Sequence, residues 1–151
     1  EQKIQSAIFS IMKKKPAPKP KEISPVSLTN HWMIEFGPAM AVDSFLVHRI
    51  SPLVYEPKNK WKPVQIDFVE AVDKHVFMNL VTGSRKPHEP IVIHYVHSNG
   101  DRSRHITFQQ YEILEVSQDG LDYGLNDVLM SHLLIQPIEI IFGAETQKVN
   151  A

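Results

Sequence analysis

The sequence has no cysteine, no long apolar run and almost no net charge, and each absence removes a class of function. With no thiol among 151 residues there are no disulfides, no cysteine nucleophile and no thiolate metal site, while the compartment stays open. No apolar stretch approaches the roughly 20 residues that cross a bilayer, and no signal-peptide core stands at the N-terminus. The expectation is a soluble, unexported chain with no membrane partner. It starts at Glu1 instead of methionine, as a piece of a longer gene product would. Sixteen basic residues stand against 17 acidic ones, so no whole-chain field exists to hold nucleic acid or an anionic membrane. No glycine-rich loop follows a strand to cradle phosphate, and no serine sits in a nucleophile elbow. No enzyme activity, catalytic residue, metal or cofactor is expected.

What is present is enough for one core. A chain of this length with 42% hydrophobic residues builds one compact domain. At its N-terminus Ile4, Ala7, Ile8, Ile11 and Met12 follow one helical face, predicting a short amphipathic helix over 1–12. A helix of about a dozen residues is marginal alone, so Ile4, Ile8, Ile11 and Met12 are the expected docking face for a partner. Lys13 to Lys21 alternates lysines with Pro16, Pro18 and Pro20, an extended spacer within a linker over 13–29. The domain proper is expected over 30–143, and 144–151 is expected to be a disordered tail.

From Trp32 the pattern changes to short apolar runs with period two, the signature of strands. His31 to Phe36 is a first strand, and Val42 to Ile50 a second. Ser51 to Trp61 contains Pro52 and Pro57, which cannot donate ladder hydrogen bonds, so it reads as a projecting arm or long hairpin tip. Val64, Ile66 and Phe68 alternate with Gln65 and Asp67 in a third strand with one buried face. Val69, Val72, Val76, Phe77 and Leu80 then switch to helical spacing, with Gly83 as the expected stop. Pro90 to His97 and Arg102 to Phe108 form a hairpin through Asn99-Gly100, whose preferred turn places both residues at positive φ. The second strand bends at Gln109-Gln110 and continues through Val116. Val128 to Phe142 is long, apolar and interrupted at Pro137, which suggests two strands with a bend.

Eight histidines invite a metal reading. His94 and His97 are three apart, a spacing that suits a helix and not a strand. A surface site from His97, Asp101 and His105 is conceivable, against the plainer reading of polar residues on a hairpin. His88-Glu89 lacks the second histidine of a helical zinc motif. Asp119, Asp122, Asn126 and Asp127 lack the glycine and terminal glutamate of a helix-loop-helix calcium loop, and turn chemistry explains them better. Trp61 between Lys60 and Lys62, with Lys58 nearby, could stack a base. A tryptophan at the root of an arm more often packs into a core or a subunit interface.

Four elements in this order resemble the tail tube and tube-initiator proteins of contractile-tailed bacteriophages. They are the strand Lys62 to Phe68, entered from a hairpin with Pro52 and Trp61; a short helix with a Val72, Val76, Leu80 stripe; the Asn99-Gly100 hairpin leading into Tyr111 to Ser117; and Leu121-Asp122-Tyr123-Gly124-Leu125 running through Asn126-Asp127 into a terminal strand that ends at Phe142. The resemblance implies a mainly β (α+β) fold, an antiparallel β-sandwich or barrel with one flanking helix. It further implies a ring, with six copies as the expected order, that lines a channel through which DNA passes without specific binding. Expected partners are other copies of the chain, adjacent tail tube or baseplate proteins and a surrounding sheath. The expected place is the virion tail, assembled in the host cytoplasm. Pro52, Leu53, Val54, Tyr55 and Trp61 on the arm, with Leu121, Asp122 and Tyr123 in the late loop, are the expected subunit interface. The terminal strand departs from the family in carrying Met130, His132, Leu133 and Leu134, and the N-terminal helix and linker are not standard for a tube subunit. A baseplate initiator or adaptor fits as readily as a repeating subunit. Two other readings remain open: a β-rich adaptor tethered by its N-terminal helix, and a single-stranded nucleic-acid binder.

Overall fold

Val64, Ile66 and Phe68 have no exposed surface at all, while Gln65 and Asp67 between them and Val69 after them are partly exposed. That alternation is what a strand with one face on a core requires, and each such side chain contributes about 1.5–3 kcal/mol by burial. The computed structural model describes residues 31–97 and 99–143. The expected helix with Ile4, Ile8, Ile11 and Met12, the lysine-proline linker and the tail over 144–151 lie outside the described residues.

Among the described residues, eight strands and one α-helix follow in chain order: β1 (Trp32–Glu35), β2 (Val47–Ile50), β3 (Tyr55–Glu56), β4 (Lys60–Trp61), β5 (Val64–Val69), α1 (Val76–Ser84), β6 (Ile91–Val96), β7 (Arg102–Gln118) and β8 (Met130–Gly143). Six of them form one antiparallel sheet in the order β1-β6-β7-β8-β5-β2, and β3 pairs with β4 in a small separate hairpin. The sheet curls until its two edges face each other. Trp32 and Ile34 of β1 share one cleft wall system with Val47 and His48 of β2. The fold is therefore mainly β, a nearly closed antiparallel sheet with one helix. Inside it Ile34, Phe68, Leu80, Ile91, Phe108, Leu133 and Ile135 form one cluster.

The long hairpin of β7 and β8 is the spine. Expected breaks at Gln109-Gln110 and Pro137 are absorbed without ending either strand; the register shifts between Phe108 and Gln110, between Gln110 and Tyr111, and between Ile113 and Glu115. These bulges bend the sheet and so permit its closure. Pro137 stands opposite Tyr111 on the β7 side, whereas pairing with β5 has already stopped at Ile135. Its missing N–H therefore leaves no gap in a ladder on the other side.

Three expectations need correction. Val42 to Ile50 is not one strand: a single 3-10 turn occupies Ser44–Leu46 and only Val47–Ile50 is extended. Val47 pairs with Phe68 and β5 ends at Val69, so residues before Val47 have little strand left to pair with. The helix begins at Val76, seven residues after Val69, and Val72 is fully exposed, outside the stripe expected for it. Val69 is instead consumed by pairing with Met130. Gly83 is buried inside α1 and does not stop it. An added Cβ there would lie 2.8 Å from the Ala39 carbonyl oxygen and 3.1 Å from Met40 Cα, so the glycine permits close packing of the helix on that loop.

The Asn99-Gly100 turn forms, but only Gly100 takes positive φ, at 91°. Its amide donates to the His97 carbonyl at 2.9 Å, and the His97 amide donates to the Asp101 carbonyl at 2.7 Å. The side chain of Asn99 accepts the Asp101 amide at 3.0 Å, which favours this wider turn over the tight two-residue form.

Candidate assembly surfaces

The segment between β2 and β5 is anchored at its root. Ser51 donates its amide to the Gln65 carbonyl at 2.8 Å and accepts the Gln65 amide on Oγ at 2.8 Å. Beyond that root Tyr55 pairs with Trp61 and Glu56 with Lys60, making a hairpin of two residues per strand. The tip is held by Glu56, which accepts Asn59 Nδ2 at 3.0 Å and meets Lys62 Nζ at 2.8 Å. The Lys62 hydrogen bond, then that of Asn59, lowers the Glu56 pKa. The arm does not project freely. Trp61 packs between Tyr55 and Phe142, with ring centroids 5.0 and 6.1 Å away, and its carbonyl accepts Gln136 Nε2 at 2.7 Å. Leu53 packs on the core, while Pro52, Val54 and Tyr55 are exposed. Phe142 adds a further exposed ring at 64%. Its pairing to Trp61 depends on the long terminal strand and was not legible without the register.

The second expected interface, Leu121, Asp122 and Tyr123, lies in the loop over 119–129 that leaves the sheet between β7 and β8. Asp122 organises it locally, accepting the Gly124 amide on Oδ1 at 2.8 Å and the Leu125 amide on its carbonyl at 3.3 Å. This is turn chemistry, as expected. Around it the apolar side chains point outward: Leu121 is 82% exposed and Tyr123 wholly so, joined by Leu125 and Val128. Val72 and Met78, also exposed, line a shallow depression with Leu129 at the foot of the same loop. Contiguous exposed apolar side chains of this kind mark contact sites on soluble proteins. The two expected surfaces are not brought together. The arm leaves the Val64 end of β5, while Met130, where the loop re-enters the sheet, pairs with Val69 at the other. Five residue steps of strand separate these ends, about 17 Å.

The foot of the loop is tied to the sheet by contacts that the sequence pattern does not reveal. His132 lies 2.6 Å from Asp67 Oδ1 through Nδ1 and 2.7 Å from Asp119 Oδ1 through Nε2. Glu70 accepts the amides of Val76 and Phe77 at 2.7 and 3.0 Å and the Ser131 hydroxyl at 2.7 Å. Burial alone would raise the Glu70 pKa, but the hydrogen bonds from Ser131, Phe77, Val76 and Gln118 outweigh it and lower it. The period-two pattern marks β5 and β8 as strands, but only their register places Asp67 beside His132.

The metal readings do not survive. His105 pairs with His94, not His97, and His97 meets Asp101 through backbone atoms. His88 stacks on Tyr111, rings 5.2 Å apart, with its Nδ1 3.1 Å from the Tyr111 carbonyl. The Tyr111 hydroxyl donates to the Glu89 carbonyl at 2.7 Å, and burial, then the Glu89 charge, pushes its pKa up to about 12. His88-Glu89 is thus a structural clasp. Among the described residues no group of three histidine, aspartate or glutamate side chains is arranged to hold a metal ion. No described helix is long and apolar enough to cross a membrane.

No protein-family model and no curated protein matches the sequence. Solved structures do match the fold. The tube-terminating cap of the anti-feeding prophage superposes with a TM-score of 0.62 at 7% identity, over 85% of this chain and 97% of that one. A chain of the sheath-tube complex of an extracellular contractile injection system, PVC, gives 0.59 at 10% identity, over 82% and 95%. Hcp1 from Flavobacterium johnsoniae gives 0.52 at 11% identity, over 78% and 98%. The nearly closed sheet with one helix among the described residues, matched over nearly the whole of those chains, is therefore the fold of tube and tube-cap proteins of contractile injection systems.

Proposed function

We propose that this chain is a structural, non-catalytic ring subunit in the tube of a phage-tail-like contractile particle. The observation that carries the reading is the fold match over almost the whole length of tube and cap chains, combined with exposed apolar surface at both ends of β5. Among the described residues β1 and β2 are the outer strands of the sheet, neighbouring copies would close a ring around it, and a ring of six is the expected order. Residues Pro52 to Tyr55 with Trp61 at one end, and Leu121 to Tyr123 at the other, then meet adjacent rings, baseplate components or sheath. Contact surfaces at both ends favour a subunit with partners above and below over one that closes the tube on a single side. On this reading the ring encloses a channel that DNA traverses without being bound, in a virion tail assembled in the host cytoplasm.

Negative-stain electron microscopy with light scattering, at low and moderate salt, tests the proposal. Rings or stacked rings with a central channel support it. A uniform monomer at high concentration, with no ring formed on adding tube or baseplate partners, ends it.

A further inference from the structure

The loop over 119–129 is shut at its foot by a histidine held between two carboxylates. Asp67 stands directly across from His132 in the β5–β8 pairing, and Asp119 follows the last residue of β7. Asp119 also accepts the Met130 amide on Oδ2 at 3.2 Å and donates its own amide to the Met130 carbonyl at 3.0 Å. One carboxylate thereby fastens the start of the loop to the strand that the loop enters.

Proton count decides whether this clasp holds. An imidazolium donates from both nitrogens, whereas a neutral ring carries one N–H and leaves a lone pair facing the other carboxylate. The contact that yields is the one more open to water, which can replace the lost hydrogen bond. Asp67 is 15% exposed and also accepts Gln65 Nε2 at 2.7 Å, with Arg49 opposite it on β2. Asp119 is 44% exposed and open to water.

We propose that Asp67, His132 and Asp119 form a proton-operated latch that holds the 119–129 loop, with its exposed Leu121, Tyr123, Leu125 and Val128, in one docking shape. Deprotonation of His132 releases the Asp119 side. The docking half of the proposal rests on the assembly function above; the latch itself does not.

The charged groups next to His132 in the register are Asp67 from β5 with Arg49 opposite it on β2, Glu115 from β7, with Glu112 further along the same face, and Asp119 beyond β7. Glu70 is bound instead to the buried Ser131. Burial alone would lower the His132 pKa, but its hydrogen bonds to Asp119 and Asp67, with their charges, raise it above 6.5. The His132 hydrogen bond holds Asp119 below its ordinary 3.8. The histidine contribution is fully present below pH 6.5 and is lost as pH rises through the raised value. The Asp119 contribution is present above 3.8 and is lost as pH falls through the lowered one. The latch is shut between those limits.

Amide hydrogen exchange on the full chain, corrected for intrinsic rates, reads the latch directly. Protection of the Asp119 and Met130 amides should fall about tenfold between about pH 6 and about pH 9, with core amides of β5 unchanged. Asp119→Asn should flatten that profile. Protection that does not vary with pH in the wild type, or a profile that persists in Asp119→Asn, overturns the latch. An NMR titration of the His132 ring supplies a readout independent of loop folding: a value above 6.5 that drops in Asp119→Asn supports the proposal, and a value at or below 6.5 overturns it. Light scattering over the same range separates the two layers. A latch that opens while assembly is unaffected stands as a latch, and removes the loop from the docking surface.

Discussion

Glu70 holds the start of α1 from six residues upstream: its Oε1 accepts the Val76 amide at 2.7 Å while Oε2 takes that of Phe77. The residue at the N-cap position, His75, sits at φ 51° and offers no side-chain acceptor. The carboxylate does the capping from outside the helix, and its negative charge also suits the helix N-terminus. Glu70→Ala should therefore cost about 1–3 kcal/mol, measured by urea unfolding, because it leaves two amides and the buried Ser131 hydroxyl without their acceptor. Since the Glu70 pKa is lowered from 4.5, this contribution is complete above that pH and is lost as pH falls through the folded value; the variant should show a weaker acid transition than wild type.

Gly83→Ala tests the close approach of α1 to the 39–40 backbone. Alanine improves helix propensity by about 1 kcal/mol. Against that, its methyl would meet the Ala39 carbonyl oxygen at 2.8 Å, and backbone on the other side cannot rotate away. Net destabilisation of about 1–3 kcal/mol is expected, seen as a lower Tm. A rise in Tm would show that the loop yields.

Leu121→Ser with Tyr123→Ser separates assembly from folding. Both side chains are almost wholly exposed, so the unfolding free energy from urea titration should change by no more than about 0.5 kcal/mol. Ring or tube formation should nevertheless be lost. Equal assembly of variant and wild type would take these two residues out of the interface.

Tyr111→Phe removes the hydroxyl bonded to the Glu89 carbonyl and should cost about 0.5–1.5 kcal/mol. In the wild type, ultraviolet titration should find one tyrosine ionising only near pH 12, and the variant should lack it. Because the folded value lies above the ordinary 10.0, the stabilisation is complete below pH 10 and disappears as pH climbs through about 12.

Much of the sheet was legible because its residues obey one rule each. Val64, Ile66 and Phe68 alternate cleanly, and Asn99-Gly100 marks a turn whatever its subtype. Elements decided by what lies opposite were not. Val72 has helical spacing from Val76, yet the chain there is still leaving β5, which is claimed by Met130. Gly83 reads as a stop signal in sequence and is a packing residue in space. The interface residues on the arm and the loop were expected from the family resemblance; Pro52, Val54, Tyr55, Leu121 and Tyr123 are exposed, whereas Leu53 and Trp61 lean on the molecule itself. His132 carries no motif. Its significance lies in Asp67 and Asp119, 65 and 13 residues away, and a linear pattern does not bring such groups together.

The uninterrupted course of β7 and β8 also has a mechanical meaning. Their ladder runs from His105 opposite Gly143 to Gln118 opposite Ser131, bent by bulges but never cut. Hydrogen bonds in such a pair lie across the strands, so a pull along the hairpin loads many of them at once in shear. A pull across it would open them one by one. A domain built on this spine therefore resists a pull along the hairpin far better than a pull across it.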